Sequence, residues 1–167
     1  RQPARSSRCC WCDAEPDAFT QNLGLVYSRS PGTQAHYQYA FWTEVPAKRL
    51  SLLLRQRLSS SGLYAGVVPL SAGVQGNYQL NFRLLEFFHD AARSPGTARV
   101  KLEVDLIERA RARLIAQRTF AARVELPSQD AAAAAAGLGQ ASAQVLEAVV
   151  VWLAGVQPYA VDSTLAR

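Results

Sequence analysis

Hydrophobic and polar residues alternate most regularly in the middle of the chain, between residues 78 and 106. Apolar residues occupy every second position from 78 to 84, and the same period recurs from residue 99 to residue 106. A period of two is typical of a β-strand with one buried side and one side in water. The pattern therefore predicts two antiparallel strands joined by a turn at residues 93–96.

The alternation slips by one position at Leu84 and Leu85, after which Leu85 and Phe87 carry the apolar side. One extra residue in a strand of an antiparallel pair has this effect. We therefore expect a β-bulge or a strong twist at this point.

A third alternating run follows, and Arg118 interrupts it. Alanine, arginine and glutamate all favour helix, so a helix over residues 108–117 is the alternative. The apolar positions of the strand interpretation are Leu114, Ala116, Phe120, Ala122, Val124 and Leu126.

Two segments have the three- and four-residue spacing of an amphipathic helix. The first follows Thr43, a candidate cap, has Pro46 in its first turn and ends at Gly62. The second follows residues 127–130, which are expected to supply a cap and a negative first turn, and it runs through the alanine-rich segment to near Gly155. Their apolar positions are Leu50, Leu53, Leu54 and Leu58 in the first helix, and Leu138, Val145, Val149 and Trp152 in the second.

Shorter apolar stretches at residues 23–27, 37–42 and 63–69 favour further strands. Together the elements predict an α+β fold, with a mostly antiparallel sheet of about 4–6 strands and two helices packed on one face. We expect residues 21–155 to form one domain, residues 1–20 to be a flexible tail, and residues 156–167 to be a C-terminal tail.

The 167 residues are enough for one domain with its own core. No apolar run is expected to reach the roughly 20 residues of a membrane-spanning helix. Three cysteines, Cys9, Cys10 and Cys12, lie together in the tail, far from His36 and His89. Because a zinc site needs three or four protein ligands, no metal site is expected.

The sequence also lacks the arrangement of residues that catalysis usually needs. A nucleophile needs a base within reach, and histidine is the usual base. His89 precedes Asp90, but neighbours in a strand point to opposite faces, so we expect a solvated turn histidine. The glycines do not form a phosphate-binding run. We expect no catalytic, cofactor or metal site.

The polar residues of the two central strands share one side of the predicted sheet. With the helices on the other side, this side is free for a protein partner or for self-assembly, although a merely solvated face has the same pattern. The candidate interface residues are Gln79, Asn81, Arg83, Arg99, Lys101, Glu103 and Asp105.

A net charge of +5 and a pI of about 9.4 raise nucleic-acid binding as an alternative. Arg109, Arg111 and Arg113 could track phosphates, with Tyr78 and Phe82 as stacking platforms. Both aromatic residues fit the core better because they alternate with leucines. We therefore expect no nucleic-acid partner.

The order of these elements and several local segments resemble the ABC-type transport auxiliary lipoprotein family over residues 26–153. The segments that carry the resemblance are residues 39–42, Pro46 with its leucine helix, and residues 61–64, 84–88, 100–106, 114–120 and 151–153.

This resemblance implies a non-catalytic partner subunit of a bacterial lipid transport system built around an MCE-domain (mammalian cell entry) protein, such as the paraquat-inducible system. It implies an MCE-domain protein or an ABC transporter subunit as partner, and self-assembly as a further option. It also implies a periplasmic location with a lipid anchor in the outer membrane. The family's anchor cysteine is not recognisable at Cys9, Cys10 or Cys12, so the anchor is expected upstream.

Overall fold

The computed structural model describes residues 22–156 in full and the backbone of residues 9–14. The α+β class is confirmed. The remainder of the two predicted tails, residues 1–8, 15–21 and 157–167, lies outside the described residues. The elements are β1 (Cys9–Ala14), β2 (Gly24–Ser28), β3 (Ala35–Phe41), α1 (Pro46–Ser61), β4 (Gly66–Val68), a 3-10 turn (Leu70–Ala72), β5 (Tyr78–Asp90), β6 (Thr97–Glu108), β7 (Arg113–Glu125) and α2 (Ala131–Gly155).

The sheet is built on the long strand β5. On one side, β5, β6 and β7 form an antiparallel meander. On the other side, β1 runs parallel to the first half of β5, and β2 runs parallel to its end. Strands β4 and β3 pair with β1 and β2. The seven strands therefore form a mostly antiparallel mixed sheet that is five positions wide.

Strand β1 corrects the predicted tail. Cys9–Ala14 pair with Gly66–Val68 on one side and with Tyr78–Phe82 on the other, in the interior of the sheet. These residues do not alternate, and both partner strands lie far away in the sequence. Local periodicity therefore could not identify this strand.

The core lies between one face of the sheet and the two helices, which pack against each other. Every second residue of β6 is buried, as the alternation predicted. The bulge in β5 is confirmed by a register shift between Leu84 and Glu86. The helical alternative for residues 108–117 is wrong, because Arg113–Glu125 pair along β6 as a strand. Fully buried side chains include Leu54, Leu58, Leu80, Phe82, Leu102, Leu106 and Leu138.

Helix α1 ends as predicted but begins differently. Gly62 takes a left-handed conformation with φ 69°, which a residue without a side chain adopts easily. The N-cap is Val45 and no side chain caps the helix, so the assignment of Thr43 as the cap is wrong. Pro46 lacks a backbone N–H and fits the first turn, where such donors have no helical partner.

Asp130, in the segment predicted to cap α2, is its N-cap, whereas the predicted negative first turn is wrong because the first turn of α2 has no acidic residue. Its carboxylate accepts a hydrogen bond from the Ala133 backbone N–H at 2.8 Å and another from the Ser128 hydroxyl. The Ser128 hydroxyl and then the Ala133 N–H hold the pKa of Asp130 below its ordinary value.

Helix α2 has the length and hydropathy of a membrane-spanning segment, which corrects the expectation that no apolar run reaches this length. One side of α2 packs on the sheet, as in a core helix. Gly137 lies against Ala98 and Leu126 so closely that an added Cβ would be 3.0 Å from the Ala98 Cβ and 2.4 Å from the Leu126 Cδ2.

His89 is fully buried, so the assignment as a solvated turn histidine is wrong. The bulge shifts the alternation and turns His89 inward. Its Nε2–H donates to the Pro95 carbonyl oxygen at 2.9 Å, because a carbonyl oxygen can only accept, and its Nδ1 shares a hydrogen bond of 2.7 Å with the Tyr37 hydroxyl. Burial raises the pKa of the Tyr37 phenol.

Candidate functional site

The side of the sheet that faces away from α1 and α2 is called the open face below. The structure places all seven predicted interface residues on it, because alternate residues of a strand share a side. Their role in partner binding stays a prediction. The seven are Gln79, Asn81, Arg83, Arg99, Lys101, Glu103 and Asp105.

Strands β5 and β6 bring four of these side chains directly opposite each other. Arg83 lies opposite Glu103 and forms an ion pair with it. Asn81 lies opposite Asp105, and its Oδ1 accepts from the Gln79 Nε2 at 2.8 Å. These polar groups are satisfied within the sheet and hold one another in fixed positions.

Strand β7 adds residues to the open face that sequence reasoning missed. The Gln117 Nε2 donates to the Asp105 Oδ1 at 2.7 Å. Thr119 lies opposite Glu103, and Arg123 lies opposite Arg99. The signal that could have identified these residues is the set of polar positions in the third alternating run, since they form one side of the strand.

The bulge brings Glu86 and Asp90 to the open face, where both bind Arg99. The Arg99 guanidinium lies 3.0 Å from Glu86 and 3.3 Å from Asp90, and it stacks on the Phe88 ring at 5.3 Å from the ring centre. The sequence pattern did not predict Glu86 and Asp90 on this face, because the bulge between Leu84 and Glu86 reverses which positions of β5 face this side.

Two cations of the open face have no such partners. The Lys101 ammonium and the Arg123 guanidinium form no hydrogen bond or ion pair with any residue of the described ranges. Lys101 lies opposite Glu86 on one side and Ala121 on the other. The open face therefore combines a set of satisfied polar groups with two unsatisfied positive charges.

The described residues form a groove on each side of the sheet. One, of about 560 Å³, lies at the end of the open face between residues 30–34 and the side chains of Leu85, Phe88 and Arg99. The other, of about 530 Å³, lies on the helical side between Trp42, Phe87 and the two helices. Both are open clefts.

The aromatic platforms of the nucleic-acid alternative lie in the core, since Tyr78 and Phe82 are only 4% and 1% exposed. Arg111 and Arg113 lie 4.0 Å and 3.5 Å from the Glu108 carboxylate. In the described part of the chain, no group of three or more potential ligand side chains could hold a metal ion.

The chain is similar to one known protein family and to several solved structures. The family model described as "ABC-type transport auxiliary lipoprotein component" matches residues 18–150. No curated protein sequence matches this chain.

Several solved structures share the fold. The protein XCC0632 from Xanthomonas campestris is 24% identical with a TM-score of 0.81, over 92% of this chain and 89% of that one. The PelC dodecamer from Paraburkholderia phytofirmans is 11% identical with a TM-score of 0.53, over 88% of each chain. The hypothetical protein CT253 from Chlamydia trachomatis is 10% identical with a TM-score of 0.52, over 90% of this chain and 99% of that one.

Proposed function

Because this chain belongs to the family of ABC-type transport auxiliary lipoprotein components, we propose that it is a non-catalytic subunit of a lipid transport system of the bacterial envelope. In this proposal the partner is an MCE-domain protein or an ABC transporter subunit, and the chain acts through protein–protein contacts. Family membership supports a location at the cell envelope. We further propose that the protein is periplasmic and anchored by lipid in the outer membrane.

The observation that carries this proposal is the open face. Strand β5 has 13 residues, β6 has 12 and β7 has 13. At about 3.3 Å per residue and about 4.8 Å between strands, the three strands cover roughly 600 Å². One partner contributes about 800 Å² to a protein–protein interface of standard size. The open face therefore has nearly the area that specific partner binding needs.

The internal bonding of the open face also favours binding. A side chain that is already held in place loses less conformational entropy when a partner arrives. The Arg83–Glu103 pair and the contacts of Arg99 with Glu86 and Asp90 fix these side chains before binding. This arrangement supports a preorganised docking surface.

The chemistry of the histidines supports a non-catalytic role. Both ring nitrogens of His89 are used in structural hydrogen bonds. His36 is exposed and packs over Gly24, where an added Cβ would be 2.6 Å from its Nδ1. Among the described residues, neither ring forms a hydrogen bond with a serine or threonine hydroxyl.

Self-assembly is the second part of the proposal. Among the described strands, β7 pairs only with β6, so its outer edge is open along Arg113–Glu125. An open edge of this length is a template for another chain. The fold is also that of PelC, a dodecamer. We expect light scattering of the purified protein to give a mass above that of one chain.

Affinity purification tests the partner proposal. The tagged full-length gene product is expressed in a Gram-negative host, and the captured envelope proteins are identified by mass spectrometry. We expect an MCE-domain protein or its ABC permease, and we expect Arg83→Glu with Lys101→Glu to reduce its recovery. Lys48→Glu, an exposed charge reversal on α1, is the matched control and should leave recovery unchanged. Recovery of nucleic acid without envelope proteins would refute the proposal.

A further inference from the structure

We propose that Lys101 and Arg123 form a basic site on the open face that binds carboxylate side chains of the protein partner. The inference rests on the proposed function and specifies the chemistry of the partner surface.

The first argument is the direct opposition of two arginines. Arg99 on β6 and Arg123 on β7 occupy opposing positions of the antiparallel pair. Like charges at directly opposite positions of a sheet are destabilising. Arg99 is compensated by Glu86 and Asp90, whereas Arg123 has no partner in the part of the chain that the structure describes. An anion that binds beside Arg123 would remove this repulsion.

The second argument is the position of Lys101, which follows Arg99 by two residues on the same face of β6. Its cross-strand neighbour Glu86 would be its natural partner, but the Glu86 carboxylate binds Arg99. On the other side, Lys101 lies opposite Ala121, whose methyl group offers no charge, and Arg123 is the diagonal neighbour of Lys101. Diagonal neighbours on one face of a sheet are roughly 7–8 Å apart. One carboxylate, or two adjacent ones, can therefore reach both cations.

The remaining acids of this region do not supply that carboxylate. Glu103 binds Arg83, and Asp105 binds Gln117. Glu125 lies on the same side two residues beyond Arg123, yet it forms no ion pair with either cation. The compensating negative charge is therefore expected from another molecule.

The charge of β5, β6 and β7 on the open face favours a protein over a lipid surface. The residues of these three strands on this face carry four positive and five negative side chains, so they lack the excess of basic residues that binds anionic membranes. Charges of both signs suit a protein surface of complementary pattern. The positive residues are Arg83, Arg99, Lys101 and Arg123, and the negative residues are Glu86, Asp90, Glu103, Asp105 and Glu125.

Carbodiimide cross-linking provides a direct test, because it joins an amine to a carboxylate that touches it. Lys48 and Lys101 are the only lysines in this sequence, and they lie on different sides of the domain. In the captured complex with the MCE-domain protein, we expect a cross-link from Lys101 to an aspartate or glutamate of that protein. Lys48 is the built-in control and should give none.

Three variants separate the positive charge that binding needs from the lysine amine that the cross-link needs. Lys101→Arg keeps the charge, so it should abolish the cross-link and leave recovery of the complex unchanged. Arg123→Lys should create a second cross-link at the neighbouring position. Lys101→Glu with Arg123→Glu should weaken binding at least about tenfold, since each lost charged contact is replaced by repulsion.

The outcomes distinguish this inference from the proposed function. If the MCE-domain protein is captured but cross-links only through Lys48, or if the double reversal leaves its affinity unchanged, the basic site is refuted and the subunit role stands. If the unmodified protein captures no transporter component and instead binds vesicles of anionic phospholipid, both are refuted.

Discussion

Gly137 and Gly139 are two glycines in one helix with opposite surroundings. Glycine costs about 1 kcal/mol relative to alanine in a helix interior. A Cβ at Gly139 meets nothing within 4 Å. Gly139→Ala should therefore stabilise the protein by about 0.5–1 kcal/mol.

Gly137→Ala gains the same helix propensity but places a methyl group against the sheet. The Leu126 side chain, whose Cδ2 lies 2.4 Å from the new Cβ, can shift in part. The Ala98 Cβ, at 3.0 Å, has no rotamer to change, so α2 must move away from β6. Overpacking of this kind costs about 1–3 kcal/mol, which leaves a net loss of roughly 1 kcal/mol.

Urea unfolding followed by circular dichroism measures both variants. The expected gap between Gly139→Ala and Gly137→Ala is about 2 kcal/mol in the free energy of unfolding, at unchanged slope. Equal stabilisation by the two variants would refute the close approach of α2 to the sheet.

Three further predictions use the same unfolding assay. Tyr37→Phe leaves the buried Nδ1 of His89 without its hydrogen-bond partner and should cost about 1–3 kcal/mol. Tyr39→Phe, at a side chain that is 87% exposed, should change nothing; equal losses would contradict the buried pair. Trp152→Ala removes a half-buried ring that packs edge-on against Phe120 and should cost about 2 kcal/mol, less than a fully buried tryptophan; no loss would show that the ring does not pack. The Asp130 carboxylate, with its lowered pKa, stabilises the fold above the ordinary carboxyl pKa, and this contribution disappears as the pH falls through the folded-state pKa. Asp130→Asn should therefore weaken the dependence of the free energy of unfolding on pH in the acid range. An unchanged pH dependence would contradict this contribution.

The central strands could be predicted from sequence because their partners are close in the chain. Residues of β6 alternate strictly, and the same alternation identified the side that carries Arg83, Lys101 and Glu103. The Arg83–Glu103 ion pair could not be predicted, because pairing depends on register, and register depends on the bulge beside Leu85.

The burial of His89 in the core could not be predicted from its local sequence either. Its local sequence is that of a strand end, and only the parity change at the bulge turns it inward. Its two hydrogen-bond partners, Tyr37 and Pro95, come from other segments. Non-local contacts of this kind leave no periodic pattern in the sequence.

The interior position of β1 has a consequence for how the domain assembles. The meander β5–β6–β7 needs only short connections and can form early, whereas Cys9–Ala14 must pair with β4 and β5 across a long intervening chain. Closing so long a loop is entropically costly and slow. Blocking this one segment would separate β4 from β5 and leave that edge of β5 unpaired. The complete pairing of the central strand β5 therefore depends on a segment that precedes it by more than 60 residues in the sequence.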